Sequence, residues 1–136
     1  MKKTVALFVM VALAVGIMIS VNGAVFTDIK GKNYEQAVYD ISELGIVEGK
    51  AEGIYDPEAY LTRAEMVTII LRMIGLENKN AGKAVFDDVT AAHWAYSNVF
   101  AAYSLGIING INDKTFAPDS SVTYAQAVKM VVCALG

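Results

Sequence analysis

The sequence predicts an all-α protein made of two copies of a helix–loop–helix unit. Two observations support this prediction. The segment "LTRAEMVTIILRMIG" at 61–75 returns 61 residues later as "VTYAQAVKMVVCALG" at 122–136, with the same spacing of apolar residues. The segment "ISELGIVEG" at 41–49 returns at the same offset as "AYSLGIING". A constant offset over this length indicates an internal duplication. We therefore assign repeat 1 to residues 24–76, a linker to 77–83 and repeat 2 to 84–136.

The first helix of each repeat is predicted over Tyr34–Leu44 and Ala95–Leu105. In repeat 1 its apolar residues recur at helical spacing. They are Ala37, Val38, Ile41 and Leu44. A glycine follows each helix directly, Gly45 in repeat 1 and Gly106 in repeat 2. Both glycines are expected to end their helices in the left-handed conformation.

The second helix of each repeat begins with a recognisable capping pattern. In repeat 1, Thr62 is the expected N-cap and Glu65 follows three positions later, which is a capping box. In repeat 2, Thr123 and Gln126 occupy the same positions, and Gln can close the same box. The predicted buried face of the first of these helices consists of Met66, Ile69, Ile70, Met73 and Ile74.

The amino terminus has the layout of a secretory signal peptide. Two lysines precede an almost unbroken apolar run at 5–21, and small residues follow it. This order predicts a leader at 1–23 that is cleaved near Gly23 or Ala24. The alternative is an uncleaved leader that holds the protein in the membrane.

The charge balance excludes nucleic acid as a partner. The chain has 11 basic and 14 acidic residues, and removal of the leader with its two lysines leaves 9 basic residues and a net charge of −5. Nucleic-acid binding needs clustered Lys and Arg. The single cysteine, Cys133, can form no internal disulfide. It stands where repeat 1 has Arg72, and we expect it to be a partly buried filler.

Arg63 is the first candidate for ligand binding. It occupies the first helical position, where the helix dipole disfavours a cation by roughly 0.3–1 kcal/mol. We expect it to point away from the apolar face and to form an anion site with the free N–H groups at the helix start. The alternative is a solvated surface arginine. In repeat 2 its place is taken by Tyr124, which can stack on a sugar ring but cannot neutralise an acid.

The remaining polar residues offer no enzymatic or metal chemistry. His93 is the only histidine and has no cysteine near it, so no metal site and no cofactor are expected. Asp28 and Asp88 are expected to be turn or cap residues more often than ligand contacts. Trp94 can fill the core or face a sugar. No set of nucleophile, base and acid can be assembled, so the chain is not expected to be an enzyme.

The motifs of both repeats resemble the S-layer homology (SLH) family along essentially the whole chain after the leader. Repeat 2 shows the Phe-x-Asp opening, "HWA", "LGIING" and an aromatic-x-Pro in "FAP"; repeat 1 keeps an intact "TRAE". The resemblance implies a pseudo-threefold helical bundle, usually of three repeats. It also implies secretion and non-covalent anchoring at the cell wall or S-layer. The implied ligand is a secondary cell-wall polysaccharide, often acidic and pyruvylated, bound in grooves between repeats.

The resemblance also carries site residues onto this chain. They are Arg63, Trp94, Asp28, Asp88, Gly49 and Gly110. Repeat 1 has Asn33 or Tyr34 where the family has Trp, and repeat 2 has Tyr124 and Gln126 where it has Arg and Glu. Neither repeat is complete, so we expect one groove that combines Arg63 with Trp94. The alternative function is a degenerate pair that serves protein assembly. A third repeat or a second chain is expected to cover the exposed helix face.

Overall fold

A computed structural model describes residues 25–78 and 85–136. Within these residues the chain forms four helices and no β-sheet. They are α1 (Glu35–Glu43), α2 (Arg63–Met73), α3 (Tyr96–Ser104) and α4 (Tyr124–Leu135). The all-α prediction is confirmed. The predicted leader lies outside the described residues, as does most of the predicted linker. None of the four helices combines the length and the apolar character that a membrane crossing requires.

The helix ends follow the local sequence signals. Gly45 and Gly106 end α1 and α3 with φ of 69° and 72°. The side chain of Thr62 accepts a hydrogen bond from the backbone of Glu65, whose carboxylate accepts one from the Thr62 N–H. The same reciprocal pair joins the capping residues of α4. Both predicted capping boxes are confirmed, and the exchange of Glu for Gln leaves the cap intact.

The predicted buried faces of α1 and α2 need correction. On α2 the buried residues are Arg63, Ala64, Val67, Thr68, Ile70 and Leu71. Met73, predicted to be buried, is about half exposed. The buried face is rotated from the predicted one because α2 packs against α3 and α4 of the other repeat. On α1, Leu44 and Ala37 are exposed because no described residue covers that side of the helix.

The second helix of repeat 1 belongs to the core of repeat 2. Four residues of α2 lie in one buried cluster with apolar residues of repeat 2. The repeat 2 members of this cluster include Phe86, Val89, Val99, Ile107, Phe116 and Met130. The first half of repeat 1 has a smaller cluster of its own, made of Phe26, Ile29 and Val38. The two sequence repeats therefore do not pack as two separate units.

Two aspartates hold the loops that precede the second helices. Asp28 accepts hydrogen bonds from the N–H groups of Tyr55 and Asp56, at 3.0 and 2.7 Å. The bond from Tyr55 is the main cause of a lowered pKa for Asp28. In repeat 2, Asp88 accepts in the same way from Phe116 and Ala117.

These bonds keep a non-glycine residue in the left-handed region in each loop. Asp56 and Ala117 both have φ of 58°. The two loops therefore share one conformation, which is unusual for residues with a Cβ.

Candidate functional site

Arg63 is buried between the two repeats and does not point into solvent. Its side chain is 5% exposed. Its Nε donates to the Phe116 carbonyl oxygen at 2.8 Å, and Nη2 donates to the Asn109 carbonyl oxygen at 3.3 Å. Its Cζ lies 4.6 Å from the centroid of the Phe116 ring, a cation–π arrangement. The expectation that Arg63 points away from the apolar face is wrong.

The N–H groups at the start of α2 are not free for an anion. The N–H of Arg63 donates to the Ser120 carbonyl oxygen, and the N–H of Ala64 donates to the Pro118 carbonyl oxygen, both at 2.9 Å. Burial lowers the pKa of Arg63, and the charge of Asp88 opposes this shift. The loop of repeat 2 therefore caps α2 and solvates its buried cation.

The outer edge of Arg63 reaches a cavity, here called the Arg63 cavity, of about 180 Å³. Its polar side chains are Arg63, Gln126, Lys129 and Asn109, and its remaining wall is apolar or backbone. The Nη1 atom of Arg63 has no hydrogen-bond partner among the described residues. The cavity thus has two cations and no carboxylate in its lining, which suits an anionic group.

Trp94 lines a different and larger groove, here called the Trp94 groove, of about 280 Å³. Its indole is 60% exposed and faces the loop and second helix of repeat 1. Four charged residues also line the groove: Glu48, Lys50, Asp56 and Glu65. Lys50 is paired with Glu65, and Glu48 with Arg72 outside the groove. Arg63 and Trp94 do not share one groove, so that expectation is wrong.

The two sites use equivalent positions of the two repeats with opposite charge. Three residues of the Arg63 cavity occupy the positions that other residues hold in the Trp94 groove. Gln126 is equivalent to Glu65, Lys129 is equivalent to Thr68, and Asn109 is equivalent to Glu48. Each exchange removes a carboxylate or adds a cation. Sequence reasoning missed Lys50 and Lys129, and a comparison of the groove-lining positions in the two repeats is the signal that could have found them.

The predicted glycines are needed for steric reasons. A Cβ on Gly49 would overlap the Ile54 carbonyl oxygen and the Phe26 ring. A Cβ on Gly110 would meet the Phe86 ring and backbone oxygens in the same way. Gly49 lines the Trp94 groove and Gly110 lines the Arg63 cavity, so both let the chain pass close beneath a buried ring.

The other candidates lie away from both sites. Tyr124 is 87% exposed and lines neither of them. Cys133 is exposed, so the expectation of a partly buried filler is wrong; no described residue covers the face of α4 that carries it. The Nδ1 of His93 accepts from the Ala95 N–H, and its Nε2 lies 3.4 Å from Asp119. Among the described residues no three potential metal ligands cluster.

We expect Arg63→Ala to lower the free energy of unfolding by about 2–4 kcal/mol, because two carbonyl oxygens lose a charged donor and a buried side chain is removed. Urea unfolding followed by circular dichroism measures this. The matched control is Arg72→Ala in the same helix, whose ion pairs with Glu48 and Glu77 are partly exposed to solvent and worth about 1 kcal/mol or less. Equal losses in the two variants would contradict the role assigned to Arg63.

A second prediction concerns pH. Burial would raise the pKa of Glu65, but hydrogen bonds from Lys50 and Thr62 outweigh it and leave the pKa below its usual 4.5. A carboxyl with a lowered pKa stabilises the fold above its unfolded pKa, and the contribution is lost as pH falls through the folded pKa.

Glu65→Gln keeps the capping box, as Gln126 does, but loses the pair with Lys50. We expect it to be about 0.5–1 kcal/mol less stable than the wild type at pH 7, and the difference to close as the pH falls below 4.5. Urea midpoints between pH 7 and pH 3 test this. A difference independent of pH would refute it.

Comparison with known proteins adds to this picture. Residues 25–67 and 85–128 match the S-layer homology domain. A cell surface protein of Thermoanaerobacter kivui is 36% identical over 116 residues, 82% of this chain and 15% of that protein. The middle cell wall protein of Brevibacillus brevis is 40% identical over 106 residues, 75% of this chain and 10% of that protein.

The cellulosome-anchoring protein of Acetivibrio thermocellus is 31% identical over 105 residues, 70% of this chain and 24% of that protein. The chain thus spans at most about a quarter of the length of these relatives. The two matched segments make up more than half of the chain, and they contain all the residues that line the two sites except Thr68, Ile69, Lys129 and Met130. The chain belongs to the S-layer homology domain family.

Proposed function

We propose that this protein attaches non-covalently to the bacterial cell envelope by binding an acidic cell-wall polysaccharide, and that it carries out no catalysis itself. Membership of the SLH family supports attachment, as do relatives that are a cell wall protein and a cellulosome-anchoring protein. A leader at 1–23, cleaved on export, would deliver the chain to the wall or S-layer.

The observation that supports an acidic ligand is the lining of the Arg63 cavity. Arg63 and Lys129 contribute two cations, and Gln126 replaces the carboxylate found at the equivalent position of repeat 1. In this proposal the carboxylate of the ligand accepts hydrogen bonds from the ammonium of Lys129 and from the Nη1 atom of Arg63, which has no partner among the described residues. A pyruvyl group on a sugar provides such a carboxylate.

The Trp94 groove supports binding of the sugar ring itself. An exposed indole offers an apolar face that can cover the apolar side of a pyranose. Lys50 has further N–H donors beyond the one used by Glu65. Because three carboxylates also line this groove, it suits sugar hydroxyl groups better than an acid.

A second candidate function is a protein-assembly module without glycan binding. The burial of Arg63 favours it, since this residue has a structural role that needs no ligand. The two candidate functions can be distinguished by a charge change inside the Arg63 cavity that leaves the fold intact. Such a change should alter polysaccharide binding only if the first function is correct.

We expect Gln126→Glu to weaken binding to acidic wall polysaccharide by about tenfold, because it places a carboxylate beside Arg63 and Lys129 while keeping the capping box. Binding to purified wall polysaccharide is measured by co-sedimentation. The matched control is Gln36→Glu, the same change on exposed α1 away from both sites. Unchanged binding in Gln126→Glu would remove the Arg63 cavity from the ligand site.

Mild acid removes the acidic substituents from the same polysaccharide. Binding to this stripped polymer measures recognition of the sugar without the contribution of its charge. We expect the wild type and Gln126→Glu to bind the stripped polymer equally.

We expect Trp94→Ala to weaken binding of both the acidic and the stripped polymer by about fivefold or more, because it removes the stacking surface. Tyr60→Ala is the control, since Tyr60 is 84% exposed and lines neither site. Trp94 is the only tryptophan, so its fluorescence reports ligand entry in the wild type. If fluorescence and affinity stay unchanged, the Trp94 groove is not a sugar site.

A further inference from the structure

Asn109 and Gly110 form the only Asn-Gly pair among the described residues, and both line the Arg63 cavity. Asn109 is exposed, and its side-chain amide makes no hydrogen bond with any described residue. The N–H of Gly110 also has no hydrogen-bond partner in the described part of the chain. An asparagine amide next to an uncommitted backbone N–H has the two groups that react with each other in deamidation.

The other described asparagines lack this combination of features. Asn98 is buried, and its amide bonds to Thr68 and to the N–H of Asn78. Asn112 accepts a backbone hydrogen bond through its Oδ1 atom. Asn33 and Asn78 are exposed, but each is followed by a residue with a long side chain. Such a side chain hinders the approach of the backbone nitrogen to the amide, whereas glycine leaves the approach open.

Arg63 contacts the peptide bond that takes part in this reaction. Its Nη2 donates to the carbonyl oxygen of Asn109 at 3.3 Å, and that oxygen belongs to the same peptide unit as the nitrogen of Gly110. When this nitrogen loses its proton, peptide resonance spreads the negative charge onto the carbonyl oxygen. A guanidinium already bonded to the oxygen stabilises the charge as it develops. The fold therefore favours the nitrogen of Gly110 as a nucleophile.

We propose that Asn109 is a site of spontaneous deamidation, and that the reaction places a carboxylate beside Arg63. The deprotonated nitrogen of Gly110 attacks the Cγ atom of Asn109, and the side-chain amide leaves as ammonia after taking up a proton. A succinimide ring remains, and water opens it at one of its two carbonyl carbons. The net reaction converts the amide and one water molecule into a carboxylate and an ammonium ion, so it needs no oxidant and no enzyme.

Both products of ring opening add a carboxylate next to Arg63. Opening at Cγ gives an aspartate, whose side chain replaces that of Asn109. Opening at the main-chain carbonyl carbon gives isoaspartate, and the oxygen that now accepts from Arg63 becomes part of a free carboxylate. Repeat 1 already has an acid at the equivalent position, Glu48, which pairs with Arg72. The shared loop conformation thus accommodates a carboxylate paired with an arginine.

The reaction would change the charge of the Arg63 cavity. Its lining has two cations, Arg63 and Lys129, and no carboxylate. A carboxylate at position 109 would pair with the guanidinium and repel an acidic ligand from the same place. The affinity of the cavity for acidic polysaccharide would therefore fall as the protein ages. This consequence rests on the proposed function, whereas the deamidation itself does not.

The test is incubation of the purified, folded protein at mildly alkaline pH without polysaccharide, followed by peptide mass spectrometry. We expect Asn109 to convert at least about tenfold faster than Asn33 or Asn112, because glycine follows it and Arg63 stabilises the anion. Incubation in guanidinium chloride removes the Arg63 contact, and we expect Asn109 to convert no faster there than in the folded protein. A folded rate about tenfold below the unfolded rate, or no conversion at all, would overturn the proposal.

Asn109→Asp measures the effect of the new carboxylate on binding. We expect this variant to bind acidic wall polysaccharide about tenfold more weakly than the wild type, and to bind the stripped polymer equally. The matched control is Asn112→Asp, the same change in the same loop but outside the lining of the cavity. Circular dichroism checks that both variants remain folded.

The two measurements separate this inference from the proposed function. If Asn109 converts but Asn109→Asp binds the acidic polymer as the wild type does, the modification stands and its effect on binding is refuted. If the wild type does not bind the acidic polymer, the proposed function fails, and the conversion rates still decide whether Asn109 is a deamidation site.

Discussion

The contact between the Arg63 guanidinium and the carbonyl oxygens of the other repeat is the interaction on which the rest of this structure depends. A buried cation is costly unless its donors are satisfied. Here the acceptors come from the Phe116 loop, which is itself held by Asp88. One aspartate thus fixes the loop, the loop solvates the arginine, and the arginine joins the repeats. The same loop also caps α2, so helix start and repeat contact form together.

The proposed binding of an acidic ligand uses the part of the Arg63 guanidinium that does not bond to the carbonyl oxygens. Two guanidinium nitrogens donate to carbonyl oxygens, the third has no hydrogen-bond partner among the described residues, and the side chain lines a cavity. A side chain held this firmly is preorganised for an anion and loses little freedom when one binds. The structural and the binding roles of Arg63 are therefore compatible, and only a charge change beside it, rather than its removal, can separate them.

Sequence reasoning predicted the parts of the fold that local spacing determines. The helices, their capping boxes and the glycine ends depend on residues within one turn of each other, and they are confirmed. The environment of Arg63 could not be predicted in this way, because its partners lie 46 and 53 residues away in the other repeat. The prediction of the buried side of α2 was wrong for the same reason, because the packing of α2 against α3 and α4 of the other repeat determines which side is covered. Cys133 is exposed because no described helix packs on the side of α4 that carries it.

The position of α2 in the core of the following repeat has a consequence for how the domain comes apart. Repeat 1 contributes its second helix to the core of repeat 2, so repeat 2 has no complete interior by itself. Loss of order in repeat 2 would strip the cover from Val67 and Leu71 and carry the disturbance into repeat 1. The described part of the chain should therefore unfold in one cooperative transition. Cleavage of the chain between the repeats should leave two fragments that stay associated through the shared core.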